Sequence, residues 1–246
     1  FGAHLARILE YADVVGLGDA VLQPAPDATR PRVVITFDDA YVGALTAGVA
    51  ELRRFGLPAT FFVCPGRLGG QTFWWDDLAE SIGGVLPGDL RNRALVAYEG
   101  KERLVREGLL TDRPRAGCPE WMRTAKESLL REVSGVPGVS IGAHTWTHPN
   151  LAVVDKDQCR EELTSCAGWL ARFGSAAIPW LAYPYGQESE TVRTEAALAG
   201  FSGALRVDGG WIPRGGTDRF AVPRYGVVNG LTPGGLALRL MGLRCR

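Results

Sequence analysis

Short apolar runs, each followed by a polar or glycine-rich turn and then by apolar residues at helical spacing, recur along this chain and constrain its fold more than any other feature. Val33-Val34-Ile35-Thr36-Phe37 is β-branched and suits a strand buried on both faces of a parallel sheet. Leu45, Val49, Leu52 and Phe55 follow at helical spacing, and Gly56 supplies a stop. Residues 59–63 form the next expected strand, and 139–141, 178–182, 201–205 and 220–222 continue the series. Between them, residues 76–134 read as helical. Leu104 lies in one stretch and Trp121, Ala125, Leu129 and Val133 in another, with a proline and glycine break around 113–119. The part from 81 to about 116, or 135 at its widest, reads as an inserted helical cap. The helix after 139–141 opens on Asp155, with Gln158 three residues on as in a capping box, and a further helix spans 190–198. Such alternation specifies an α/β fold, either a barrel or an open doubly wound sheet.

At 246 residues and 46% hydrophobic content the chain can bury a full core, and residues 1–246 read as one domain. Its 27 basic and 27 acidic side chains cancel, which argues against a nucleic-acid grip or a polybasic membrane patch. No apolar run approaches the ~18–20 residues of a membrane helix. The start at Phe1 reads as a processed or trimmed end, so a leader segment is not legible. The five cysteines (64, 118, 159, 166 and 245) show no C-x-x-C spacing. Cys159 and Cys166 on one helix would lie roughly 10 Å apart, too far to bridge, and fall in its apolar stripe with Leu163 and Leu170. Unpaired cysteines lean towards a reducing, cytoplasmic setting.

Polar residues at the carboxyl ends of strands are where α/β enzymes keep their sites, and three strand ends here are unusual. Asp38-Asp39 follows the first run; a helix cap with a solvated neighbour is one reading, a metal ligand beside a general base the other. Two of the three histidines, His144 and His148, fall four residues apart after 139–141, with Pro149 favouring a loop. No Glu follows His144, so this is not H-E-x-x-H, and a base must come from elsewhere. One carboxylate and two imidazoles make a three-ligand site with open positions, and the second carboxylate could take a proton from water there. The third strand end, Tyr183-Pro184-Tyr185-Gly186, is either a plain turn or one whose backbone N–H meets an oxyanion beside an aromatic sugar wall.

Together these stretches resemble the polysaccharide deacetylase (NodB-homology) family, carbohydrate esterase family four. Thr36-Phe37-Asp38-Asp39-Ala40 is similar to its T-F-D-D-G motif, and His144-Thr145-Trp146-Thr147-His148 to its H-[ST]-x-x-H motif. Tyr183-Pro184-Tyr185-Gly186 is similar to the end of R-x-P-[FY]-G, and Pro58–Val63 to the family's next strand. The resemblance implies an irregular (β/α)7 barrel, here with a helical insertion. It implies a divalent metal, zinc above all with cobalt, nickel or manganese as substitutes, on Asp39, His144 and His148. It also implies Asp38 as the base and the Tyr185 N–H at the oxyanion, on an N-acylated amino sugar or glycan. Three departures stand out: Ala40 replaces a glycine, which a normal φ would allow; Ala182 stands where many members carry the Arg that orients the base; and the C-terminal Leu-x-His general acid is missing.

Arg224, in the late strand, could orient Asp38 or stabilise charge, but its high pKa makes it a poor proton donor. Phe73-Trp74-Trp75-Asp76 reads as core aromatics with a helix cap, or as a sugar platform in which Trp75 takes part. Pro184, Trp146 and Trp211 are further candidates for substrate contact. Rival readings are a deacylase of a non-polymeric substrate, such as a lipid-linked sugar, a natural-product glycoside or a formamide, and a silent carbohydrate-binding domain. A non-haem iron oxygenase shares the ligand set, but the Asp…His-x-x-x-His order on an alternating chain does not suggest that fold.

Overall fold

The computed structural model describes residues 1–22, 29–110, 117–212 and 216–242, so Cys245 and part of the expected helical break lie outside the described residues. In chain order the elements are α1 (Gly2–Tyr11), β1 (Asp13–Val14), α2 (Leu17–Leu22), β2 (Arg32–Val33), β3 (Thr36–Phe37), α3 (Val49–Phe55) and β4 (Ala59–Val63). Helices α4 (Trp74–Ser81), α5 (Gly88–Ala97), α6 (Glu102–Leu109) and α7 (Glu127–Ser134) then precede β5 (Val139–Ala143). The chain continues through α8 (Lys156–Leu170), β6 (Ala177–Ala182), α9 (Glu190–Leu198), β7 (Gly203–Arg206), β8 (Val222–Pro223) and α10 (Pro233–Leu240).

Strands β3 to β8 lie side by side in chain order, all parallel, and the sheet curls into a half-barrel. The run 33–37, expected as one strand, is divided because its halves have different neighbours. Arg32 and Val33 pair with Asp13 and Val14, while Thr36 and Phe37 pair with Thr60 and Phe61. All of β4 is buried, as a parallel strand covered on both faces requires. Phe61, Val63, Ile141, Ala143 and Leu181 belong to the main core with the apolar sides of α3, α7, α8 and α9. Phe62, Trp180, Ala182, Leu205 and Val222 form a second cluster, which Leu17 and Val21 of α2 cover.

Space within this second cluster is tight, and glycines relieve it. Gly142 is the ladder partner of Phe62, and Gly203 that of Trp180. A Cβ on Gly203 would come within 2.6 Å of both the Trp180 ring and the Arg219 carbonyl.

Helix α8 has the expected start, with Asp155 Oδ1 accepting the Gln158 N–H at 2.8 Å. Cys159 and Cys166 are buried on it as free thiols. The helical stretch expected through Trp121 and Ala125 is shorter than its spacing suggested. The Thr124 N–H bonds to the Gln71 carbonyl and the Ala125 N–H to that of Ala40, so these residues tie loops together and α7 begins only at Glu127. Trp121 sits on an isolated 3₁₀ turn, 61% exposed. Asp76, expected as a helix cap, lies three residues inside α4, and its Oδ2 accepts the N–H of the cap residue, Phe73, at 3.0 Å. Helices α1 and α10, which the reading missed, pack on each other through Ile8, Ala12 and Leu236. The ring of His4 is tied there to the Leu231 carbonyl at 2.7 Å. Among the described residues no helix is long and apolar enough to cross a membrane.

Gly203→Ala should lower stability by about 1–3 kcal/mol, because neither the Trp180 ring nor the Arg219 backbone can move freely. Thermal unfolding checks this, and an unchanged Tm would mean that the β6–β7 contact has slack.

Candidate active site

The strand ends bring the expected residues together. Asp38 and Asp39 follow β3, His144 and His148 follow β5, the turn Pro184–Gly186 follows β6, and Arg224 follows β8. The loops are bent by an unusual backbone: six non-glycine residues among those described have positive φ, and five of them are Asp39, Ala40, Thr145, His148 and Tyr185. Such conformations each cost about 1–2 kcal/mol and persist where surrounding contacts fix them. Ala40 corrects an expectation. Its φ is 54°, so it occupies the left-handed region that favours glycine, buried and with its carbonyl on the Ala125 N–H at 2.9 Å.

Asp39 Oδ1 lies 3.7 Å from His144 Nε2 and 3.6 Å from His148 Nε2. A tetrahedral ion with bonds of about 2.1 Å spaces its ligands about 3.4 Å apart; with all three atoms within 4.8 Å of one another, this group could hold a single divalent cation. The donor set supports the fit. Asp39 Oδ1 is buried without a hydrogen-bond partner. Burial and the Asp38 charge push the Asp39 carboxyl well above its usual range, a cost that a cation would remove. Burial pushes both imidazoles down, His148 furthest, which keeps them neutral and fit to ligate. His144 Nδ1 donates to the Ala182 carbonyl at 2.6 Å, which fixes the tautomer with the Nε2 lone pair turned towards Asp39. Ala182 thus contributes its backbone where the resemblance implied an arginine side chain.

That arginine has a replacement from another strand. Arg224 binds Asp38 as a fork, Nη1 to Oδ1 at 2.8 Å and Nη2 to Oδ2 at 2.7 Å, and Nη1 also reaches Thr36 Oγ1 at 3.1 Å. Its guanidinium lies 5.7 Å from the centre of the Phe62 ring. Burial alone would raise the Asp38 carboxyl, but Arg224, with the two histidines, brings it down to about 2. Asp38 is therefore ionised at neutral pH, 3.9 Å from His144 Nε2.

An aromatic wall encloses His148, with ring centres of Phe73, Trp75 and Tyr185 at 5.2, 4.9 and 4.8 Å. Trp75 Nε1 donates to Tyr41 Oη at 2.8 Å, and Tyr41 donates to Asp76 Oδ2 at 2.8 Å. Pro184 is buried in its turn. Trp146 packs against the main core, its carbonyl accepting the Gly66 N–H at 2.9 Å. Trp211 is 41% exposed, and no ring contact or hydrogen bond ties it to the cluster among the described residues. The reading missed Glu162, whose Oε2 accepts the N–H groups of Trp146 and Thr147 at 2.7 and 2.8 Å, while Oε1 accepts the Thr147 hydroxyl at 2.5 Å. Thr145 Oγ1 accepts the His148 N–H at 3.0 Å. Glu162 and Thr145 set the path of the histidine loop. The motif marked Thr145, but a glutamate within a helix carried no signal.

A parallel α/β half-barrel with a carboxylate and two histidines at its strand ends, beside an arginine-held aspartate, defines the NodB-homology class. The sequence matches the family described as polysaccharide deacetylase over residues 25–204, and the chain belongs to that family. Among solved structures, the deacetylase PplD of Streptococcus pyogenes, in complex with acetate, superimposes with a TM-score of 0.67 at 16% identity, covering 97% of this chain and 84% of that one. A de-N-acetylase from Aggregatibacter actinomycetemcomitans gives 0.65 at 15%, covering 96% and 87%. IcaB from Ammonifex degensii gives 0.63 at 14%, covering 97% and 87%. No curated protein matches the sequence.

Where the Asp39–His144–His148 cluster takes up added zinc, Glu162→Gln should weaken that uptake about 10–100-fold, because the amide cannot accept all three hydrogen bonds that Glu162 takes from the loop. Competition against a chromophoric chelator measures this, and an unchanged affinity would detach Glu162 from the ligands.

Proposed function

We propose that this chain, as one catalytic domain over residues 1–246, is a metal-dependent hydrolase that removes an N-acyl group, acetyl above all, from an amino sugar or glycan. The observation that carries the proposal is the Arg224–Asp38 fork beside the Asp39–His144–His148 cluster. It sets an ionised acceptor of protons next to a set of neutral and anionic ligands, the two parts that water activation needs. Asp39, His144 and His148 would hold the ion, and zinc suits two imidazoles and a carboxylate with open positions. Once bound, the ion supplies Lewis acidity, which lowers the pKa of water and polarises the acyl carbonyl.

Asp38 takes the proton of the attacking water. Arg224 keeps that carboxylate oriented and charged, and as a fixed cation it neither accepts nor gives the proton. The Tyr185 N–H stands outside the two bonds of its turn, Gly186 N–H to Tyr183 O and Gln187 N–H to Pro184 O, and is the donor we assign to the oxyanion. With no histidine on the late strand, Asp38 is also the group we assign to return the proton to the leaving amine, so acetate and a free amino sugar are released. Trp75 and Tyr185, both half-buried beside His148, are the rings we assign to contact with a pyranose.

Metal-loaded protein should release amine from N-acetylglucosamine oligomers. Chelation and Asp38→Asn should each remove at least ~99% of the rate. Release that survives Asp38→Asn would sink the mechanism. Arg224→Ala leaves burial uncompensated, so the Asp38 carboxyl rises from about 2 and the acidic limb of kcat/KM moves to higher pH. The sign for stability follows from the same shift. The folded-state value lies below the ordinary 3.8, so the pair stabilises the fold above that pH and the benefit is lost as pH falls through about 2. Arg224→Ala should abolish that dependence, which acid titration of the two proteins compares.

A further inference from the structure

The segment between β4 and β5 holds more than a crossover needs. Helix α7 packs on β5, whereas α4, α5 and α6 form a unit with its own core of Trp74, Leu78, Ala94, Val105 and Leu109. That core runs directly into the site, because Trp75 and Tyr185 pack against it. Tyr185 is fastened to the unit at two points: Trp74 Nε1 donates to its hydroxyl at 2.9 Å, and the hydroxyl donates to the Gly100 carbonyl at 3.2 Å. The loop at Glu99 and Gly100, both with positive φ, is pressed so close that a Cβ on Gly100 would lie 3.0 Å from the Tyr185 ring.

The unit is also pinned. Glu102 pairs with Arg67, beyond β4, at 2.8 Å and with Arg106 at 2.8 Å, and Arg106 also pairs with Asp77. Of the charged and ligating side chains here Asp38 is the most exposed, at 28%, whereas His148, ringed by Phe73, Trp75 and Tyr185, is 5% exposed. Asp38 thus reaches solvent, while the rings at His148 are backed by the pinned unit.

We propose that the α4–α6 unit closes one end of the sugar-binding groove, so that this chain deacylates a terminal N-acyl amino sugar, or a short glycoside, rather than residues inside a polymer. The proposal rests on the deacylase reading above. A glycan can extend past Asp38 and Arg224, but in the other direction it meets Trp75, Tyr185 and the pinned unit behind them.

The test uses metal-loaded protein and N-acetylglucosamine oligomers from one to six residues, with each product sequenced by mass spectrometry. One acetyl group should leave each oligomer, always from the same terminal residue, with internal release slower by about tenfold or more. The value of kcat/KM should stop rising by the trimer. Internal release at a rate comparable to terminal release would overturn the proposal and leave the deacylase reading standing, whereas no release from any oligomer would overturn both. In Glu102→Ala, which loses the pairs to Arg67 and Arg106, internal release should rise relative to terminal release. An unchanged pattern in the folded variant would remove the unit from specificity. If that variant does not fold, the wild-type product pattern decides alone.

Discussion

The fork between Arg224 and Asp38 joins the two edges of the sheet. β3 and β8 stand at opposite ends of the strand order, yet the residues that follow them meet in two short hydrogen bonds. The curl of the sheet is what brings them within reach, and the tight inner packing of Phe62 against Gly142 and Trp180 against Gly203 accompanies that curl. One interaction thus has two roles. It ties across the seam that an incomplete barrel leaves, where β8 ends in a proline that cannot extend a ladder, and it fixes the Asp38 carboxylate. In this chain the geometry of Asp38 is a property of the whole sheet.

The rest of the site is arranged around that seam in layers. Inside are the three potential ligands, with the Asp39 carboxyl pushed well above its usual range by burial and by Asp38. Next come groups that aim them: the Ala182 carbonyl on His144, Thr145 on the His148 backbone, and Glu162 on the loop between. Outside lie the aromatic rings and the helical unit that buttresses them. The layers draw on the connections after β3, β4, β5 and β6, which is how a parallel sheet converges distant sequence on one point.

The parts of the fold that were legible in the sequence are those that periodicity or chemistry marks. β4, α8 and α9 stand out because apolar spacing and cap residues agree, and the Asp and His pairs stand out because such groups are rare at strand ends. The run 33–37 misled because its two halves serve different neighbours, a tertiary fact that no local pattern encodes. Trp121 and Ala125 misled because their helical spacing was incidental to loop hydrogen bonds. Arg224 was legible only as a candidate with two readings, because its fork on Asp38 is a contact between opposite edges of the sheet that no local pattern encodes. The left-handed φ of Ala40 was invisible because alanine gives no warning of it.

The five left-handed residues around the site have a consequence for how such a protein can be improved. Glycine at any of them would relieve the backbone, and for Asp39 and His148 it would also delete a potential ligand. At Thr145 the exchange is subtler, since the hydroxyl lost there accepts the His148 N–H and sets the path of the histidine loop. A search for heat-resistant variants would therefore be drawn to these loops and would weaken the catalyst on arriving there. Sites that can be stabilised without that conflict lie elsewhere, in the helices behind the sheet.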